Sequence, residues 1–184
     1  PHWPAVGLLL LGSALATVAL GAPAPDGSRG RGSVPFVPDA ASAALFVVQC
    51  GDEASPAFHL LARGTPGLVV EAMASVDETR RIGELVLDGV VLDDSTRLDI
   101  PDGAAVLARV VDAARVALAA DAFGAASRSL DEAVRYSLVR EQFGRPIGSF
   151  QAVKHMCAEV FAALEPVRAL MWYAAFAWDE GRDD

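Results

Sequence analysis

Arg140-Glu141-Gln142-Phe143-Gly144-Arg145-Pro146-Ile147-Gly148-Ser149-Phe150-Gln151 separates two long runs of helical periodicity. Within it, Gly144, Arg145 and Pro146 stop a helix. Gly accepts the left-handed backbone of a C-terminus, and Pro has no N–H with which to continue the ladder. Upstream, Pro101-Asp102 is a start signal, with Asp102 as the expected N-cap. Val106, Val110, Ala113, Ala117 and Ala120 recur at i, i+3, i+4 spacing, and the pattern runs on through Leu130, Val134 and Leu138. Downstream, a second helix is predicted from near Ser149 to about Glu180, with Gly181 as its stop and Pro166 bending it or weakening one turn. Two long helices joined by a turn at residues 144–148 make an antiparallel hairpin. Such a pair cannot cover its own apolar faces and implies further helices.

The residues before Pro101 have another texture. They carry most of the Pro and Gly, whereas only Pro146 and Pro166 follow Pro101. Short apolar runs at residues 43–50, 57–62, 67–72 and 82–92 are bounded by Gly51-Asp52, Thr65-Pro66-Gly67 and Asp88-Gly89. That spacing predicts a small antiparallel β unit over residues 34–100. Residues 1–33 read as an apolar segment followed by a linker, irregular over residues 21–33. The Leu/Ala-rich run at residues 8–22, followed by Pro23-Ala24, fits either a buried segment or a signal peptide that lacks its usual basic start. It is short for a membrane span, which takes about 20 apolar residues.

With 53% hydrophobic residues, the 184-residue chain has enough apolar material for a core. Its net charge of −9, with no basic stripe, argues against nucleic acid as a partner. Cys50 and Cys157 lie far apart, and His2, His59 and His155 are scattered, so no metal-ligand spacing is present. Two isolated cysteines in apolar surroundings read as free thiols of a reducing cytoplasm.

The chain from about Pro101 onward resembles the acyl-CoA dehydrogenase family. The residues that carry the likeness are Ala119-Ala120-Asp121-Ala122-Phe123-Gly124, Leu130-Asp131-Glu132-Ala133-Val134-Arg135-Tyr136, and the turn Arg140-x-x-Phe143-Gly144-x-Pro146-Ile147 followed by Phe150-Gln151. More weakly, Pro35-Phe36-Val37-Pro38-Asp39-Ala40 and Asp77-Glu78-Thr79-Arg80-Arg81 look like pieces of the family's middle β-domain. The resemblance implies an α+β chain. A remnant of the middle β-domain would precede residues 101–184, an incomplete C-terminal helical domain forming half of a four-helix bundle. It also implies FAD shared across a subunit interface. Arg140, Gln142, Phe143, Phe150 and Gln151 take the places that touch a neighbouring subunit's cofactor, the guanidinium of Arg140 matching phosphate oxygens as a planar fork. Asp112 and Arg115, three apart on one helix face, take places that line the acyl-CoA site. Read from spacing alone, they are equally an intrahelical ion pair.

Two departures bear on activity. Family members need a carboxylate base to remove the proton α to the thioester. Most carry it beyond the stretch matched here, and a minority carry it one residue before the position of Arg115, where this chain has Ala114. No catalytic residue is therefore assigned. In the middle domain, Pro38 stands where the family's flavin-facing pattern has a hydroxyl. The expected function is that of an acyl-CoA dehydrogenase-like flavoprotein polypeptide, a fragment or a non-catalytic subunit of a heteromeric enzyme. Its expected partners are acyl-CoA and a homologous subunit, with no membrane. The alternatives are a cofactor-free helical interaction protein on the same scaffold and a secreted protein with an N-terminal signal.

Overall fold

A computed structural model describes residues 16–22, 28–79 and 81–182. Residues 8–15 of the apolar run and residues 23–27 of the linker lie outside the described residues, as do His2 and Arg80. The order is β1 (Ala16–Ala22), β2 (Arg29–Val37), β3 (Leu45–Cys50), β4 (Ala57–Ala62), β5 (Leu68–Ala72), β6 (Gly83–Val91), α1 (Gly103–Val139), β7 (Glu141–Gln142), β8 (Arg145–Pro146), a single 3-10 turn (Ile147–Ser149) and α2 (Gln151–Asp179). The chain divides into two compact units after Leu107.

In the first unit, one sheet has the order β1-β3-β4 and the other β2-β6-β5. The expected strands at residues 43–50, 57–62, 67–72 and 82–92 are all present. Three expectations need correction. Residues 21–33 are not wholly irregular, because β1 takes in Gly21 and Ala22 and β2 begins at Arg29. The unit is not purely antiparallel, since β1 pairs parallel with β3, Ala16 opposite Leu45. Asp88-Gly89 is not a turn but a bulge inside β6: Arg31 faces Asp88 and Gly30 faces Val90, leaving Gly89 unmatched with φ +72°. The extra residue resets which side chains face inward. Leu85 and Leu87 are buried before it, and Val90 and Leu92 after it. These join Ala19, Val34, Val37, Phe46, Val48, Cys50 and Leu61 in one core. Buried Gln49 fastens β1 to this core: its Oε1 accepts from the Gly21 N–H at 2.7 Å, and its Nε2 donates to the Gly51 carbonyl at 3.0 Å.

The helix α1 opens as expected. The Asp102 carboxylate accepts from the Ala105 N–H at 3.0 Å and satisfies one of the orphan donors of the first turn. α2 runs through Pro166 without ending and closes on Gly181 (φ +67°). There Gly181 N–H reaches the Trp178 carbonyl and Arg182 N–H the Ala177 carbonyl, a Schellman closure.

The expected apolar stripe on α1 is only partly the seam. Val110, Ala113 and Leu130 are half-buried, but Ala117, Ala120, Val134 and Leu138 are exposed. The covered positions instead include Val116, Phe123, Leu130 and Ser137 on α1 and Cys157, Leu164 and Met171 on α2, each set spaced by seven. A seven-residue repeat keeps a seam on one line between two helices, whereas a 3.6-residue pattern drifts across it. An apolar groove of about 600 Å³ remains between the helices, lined by Leu130, Tyr136, Val153, Met156, Cys157 and Val160 among others. By length and composition α2 also passes as a membrane-spanning helix.

Candidate functional site

The connection between the helices is longer and more structured than the expected turn at residues 144–148: it runs from residue 140 to residue 150, because α1 stops before the Gly144-Arg145-Pro146 signal. α1 ends at Val139, and the Arg140 N–H still bonds back to Tyr136. The Ile147 N–H then donates to the Arg140 carbonyl at 2.8 Å and closes the loop. Between them, β7 and β8 form a two-residue hairpin with Gln142 opposite Arg145. The span expected to be helix and turn alone thus contains a short pair of strands. Its central residues Phe143 and Gly144 both have positive φ, +55° and +74°. Two positive φ values at the centre of a two-residue loop are the geometry of a type I′ turn, which Asn-Gly or Gly-Gly adopts without strain. A Phe there costs backbone energy.

That strained residue holds its ring in the open, 92% exposed. The ring meets Phe150 edge-on, with centroids 6.1 Å apart and planes at 85°. Phe150 begins α2, where its carbonyl accepts from the Lys154 N–H. The Arg145 guanidinium carbon stands 4.2 Å from the Phe150 ring centroid, a cation–π contact. The loop lies close against α1: a methyl group at Gly148 would sit 2.8 Å from the Ser137 hydroxyl and 3.0 Å from its carbonyl oxygen.

Of the five cofactor candidates, Phe143 and Phe150 are therefore brought into contact. Arg140 and Gln142 belong to the same turn, Gln151 opens α2, and all three are exposed. Gln142 Nε2 donates to the neighbouring Glu141 carbonyl, and Gln151 Nε2 lies 3.3 Å from His155 Nε2. Among the described residues no ion pair engages the Arg140 guanidinium. Arg145 was not among the candidates; the sequence carries no signal that an Arg five residues before an aromatic will lie over its ring.

Asp112 and Arg115 form the ion pair that their spacing allows, at 2.8 Å and with both side chains largely exposed. They also border a pocket of about 350 Å³ with Val116, Ala174, Ala177, Trp178 and Arg182. Both readings of this pair are thus compatible with its surroundings. Ala114 beside them is exposed and has no proton-abstracting group. In the first unit Phe36 repeats the pattern of Phe143: φ +58°, 69% exposed, at an irregularity in β2 just before Pro38. Shifts in proton affinity are found in that unit as well. Burial pushes the Cys50 thiol up to about 11. Burial, reinforced by Arg97, lowers His59, whose Nδ1 lies 3.0 Å from the Thr96 hydroxyl.

Comparison with known proteins places these features in context. Residues 101–184 match the profile of the acyl-CoA dehydrogenase C-terminal domain. The glutaryl-CoA dehydrogenase of Desulfococcus multivorans is 33% identical over 160 residues, which is 83% of this chain and 41% of that protein. The solved butyryl-CoA dehydrogenase of Megasphaera elsdenii is similar with a TM-score of 0.80 at 25% identity, over 95% of this chain and 52% of the other. In fold the chain is also like a glutaryl-CoA dehydrogenase from Mycobacterium smegmatis solved in complex with FADH2, with a TM-score of 0.83 at 23% identity, over 95% of this chain and 50% of the other. The chain spans about half the length of these proteins or less.

Proposed function

Because this chain belongs to the acyl-CoA dehydrogenase family, we propose that it serves the α,β-dehydrogenation of acyl-CoA thioesters as a polypeptide that lends residues to an FAD shared between subunits. It does so either as a piece of a longer enzyme or as the subunit of a heteromer that lacks the base. The observation that carries this reading is Phe143: a bulky ring held in a costly backbone conformation and left 92% exposed. Strain of that kind persists where the surroundings enforce it and a partner uses it.

The residues present fit a dinucleotide. Arg140 offers a permanently charged fork for pyrophosphate oxygens, and Phe143 offers a flat face for a ring system. FAD, when bound, supplies the hydride acceptor. This chain's part is to hold the cofactor and, through Asp112 and Arg115, to border the thioester site. Proton abstraction falls to a carboxylate elsewhere, since position 114 is Ala. A homologous dehydrogenase subunit is the proposed partner, and the cytoplasm, where Cys50 and Cys157 stay free thiols, the proposed compartment. The apolar face of α2 is read as packing surface for further helices rather than as a membrane span. The exposed apolar groove between α1 and α2 supports one second reading, a cofactor-free helical interaction protein.

Titration of FAD into the assembly of this chain with a catalytic acyl-CoA dehydrogenase subunit tests the choice. Losing a charge-assisted Arg contact costs ~1.5–3 kcal/mol, so Arg140→Ala should weaken FAD affinity about 10- to 150-fold. Arg140→Lys should recover part of that, keeping the charge but not the fork. Arg128→Ala, which removes only a helix-surface ion pair to Glu132, should change nothing. Equal affinities for the wild type, Arg140→Ala and Arg128→Ala would make the turn mere scaffold and leave the interaction protein as the reading. Flavin reduction by an acyl-CoA with this chain alone would expose a base that position 114 does not supply.

A further inference from the structure

We propose that Arg145 is a positioning residue for Phe143, acting through Phe150, and that this three-member relay sets the exposed ring as a stacking platform for a planar ring system bearing phosphates. The inference rests on the proposed function for its ligand and deepens it by naming a residue and the kind of contact it serves.

Folding alone does not account for Phe143. Gly or Asn would make the same turn at lower cost, and a ring 92% exposed contributes almost no burial. Its aromatic neighbour is Phe150, met edge-on at 6.1 Å. Phe150 is in turn held by the Arg145 guanidinium at 4.2 Å from its centroid, inside the range in which the ring quadrupole attracts a cation. Arg145 is paired with Gln142 across the hairpin, so its backbone is fixed by the same two-residue strands that bracket Phe143. Among the described residues no ion pair draws its guanidinium away from the ring. The stack thus links the far side of the hairpin to its tip. An exposed, pre-oriented ring with Arg140 at the base of the same loop recognises a flat π-system joined to phosphates. Without Arg145, Phe150 and then Phe143 sample more rotamers, and the ligand must order them on binding.

The test is a double-mutant cycle for FAD affinity in the assembly with the catalytic subunit, with FMN and ADP as further ligands to tell a flavin ring from an adenine ring. Arg145→Ala should weaken FAD about 3- to 10-fold, the cost of ordering one rotamer-rich side chain. Arg145→Lys, which keeps a cation over the ring, should retain most of the affinity. In a Phe143→Ala background, Arg145→Ala should have no further effect, because the relay has lost its end point. A loss of equal size in both backgrounds would overturn the relay and make Arg145 a direct ligand contact. The ligand weakened in parallel with FAD, FMN or ADP, identifies which ring stacks; a relay that weakens neither overturns the platform. In the chain free of ligand, Arg145→Ala should shift the Phe143 ring resonances of a sample labelled with ¹³C at its phenylalanine rings. Should Arg140→Ala leave FAD affinity unmoved, the proposed function fails by itself. Unchanged Phe143 resonances in Arg145→Ala would then sink the relay independently.

Discussion

Replacing Gly148 by Ala puts a methyl group where the loop meets α1. The new Cβ would lie 2.8 Å from Ser137 Oγ and 3.0 Å from the Ser137 carbonyl oxygen, when ordinary contacts begin near 3.4 Å. Ser137 cannot swing away freely. It is one of the few buried residues of the helical unit, and its hydroxyl donates to the Val134 carbonyl at 2.7 Å. The loop or the last turn of α1 must therefore shift by a few tenths of an ångström. Overpacking of this kind costs ~1–3 kcal/mol. Gly148 has no left-handed backbone to lose, so Ala also restricts the unfolded chain and returns about 0.4–1 kcal/mol. The net expectation is a destabilisation near 1.5 kcal/mol, or a fall in Tm of roughly 6–12 °C for a unit of this size. Gly124→Ala is the control: nothing stands within 4 Å of its would-be Cβ in the middle of α1, so the same change should stabilise by about 0.5–1 kcal/mol. Thermal unfolding followed by tryptophan fluorescence reads both, since Trp172 and Trp178 lie on α2. In a Ser137→Ala background the Gly148→Ala cost should shrink but not vanish, because the carbonyl contact remains. If Gly148→Ala and Gly124→Ala move the Tm in the same direction, the close approach of loop and helix is wrong.

Two further outcomes are expected in the β unit and at its junction. His59 titrates below its ordinary 6.5 because burial disfavours the charged ring. Its contribution to stability is therefore whole above that value and is lost as pH falls through the lowered one, where the unfolded chain holds a proton that the folded chain does not. Urea midpoints should fall on acidification from pH 7 towards 5, with a slope of at most about 1.4 kcal/mol per pH unit from this group, and His59→Gln should flatten that slope. An unchanged slope in the variant would assign the pH dependence to other groups. Asp102→Ala should lower helix stability by ~1 kcal/mol through loss of the bond to the Ala105 N–H, and Asp102→Ser should restore most of it; equal stability of all three would show that the cap carries nothing.

What could be read in advance divides along the range of the forces involved. β4 begins and ends at the residues its apolar run marked, and Asp102 caps α1, because both depend on near neighbours in the chain. Gly89 was legible as a turn residue but not as a bulge, where its φ is +72°. The same conformation serves a turn, and only the register against β2 shows which it is. β1 and the first half of β2 were missed because their local composition, Leu/Ala-rich or Gly/Ser/Arg-rich, does not announce a strand. Each is made by pairing with a distant segment, β3 for one and β6 for the other. At the site, the turn and its candidate residues were visible as a pattern. The strain in Phe143 and the stacking of Arg145 on Phe150 were not, since both arise only when the two-residue hairpin closes.

The uneven burial of the two units has a consequence that can be measured. The β unit holds a cluster of thirteen buried apolar residues, whereas in residues 108–182 only Ser137 and Ala177 are buried. Leu118, Leu138, Met156, Phe161, Leu170, Trp172 and Phe176 all remain exposed on the helices. Helices owe most of their stability to the packing of an apolar face, so this hairpin should open well before the sheets. The two cysteines report the two units separately. Cys157 is half-buried in the hairpin, while Cys50 is sealed in the β core with its thiol pushed up to about 11. The thiolate is the nucleophile that attacks a thiol reagent, so Cys50, buried and with its thiolate disfavoured, should react only when its core opens. In rising urea, the fluorescence of Trp172 and Trp178 in a Trp3→Phe variant, and the labelling of Cys157, should change first. The labelling of Cys50 should follow at a midpoint roughly 1 M higher, since a gap of a few kcal/mol divided by a slope of ~1–3 kcal/mol/M is of that order. A partner that covers the helical face should close the gap by raising the first transition alone, because it binds only the folded hairpin. Coincident transitions in the chain by itself would mean that the helices are already covered, and the argument for a missing partner would fall with them.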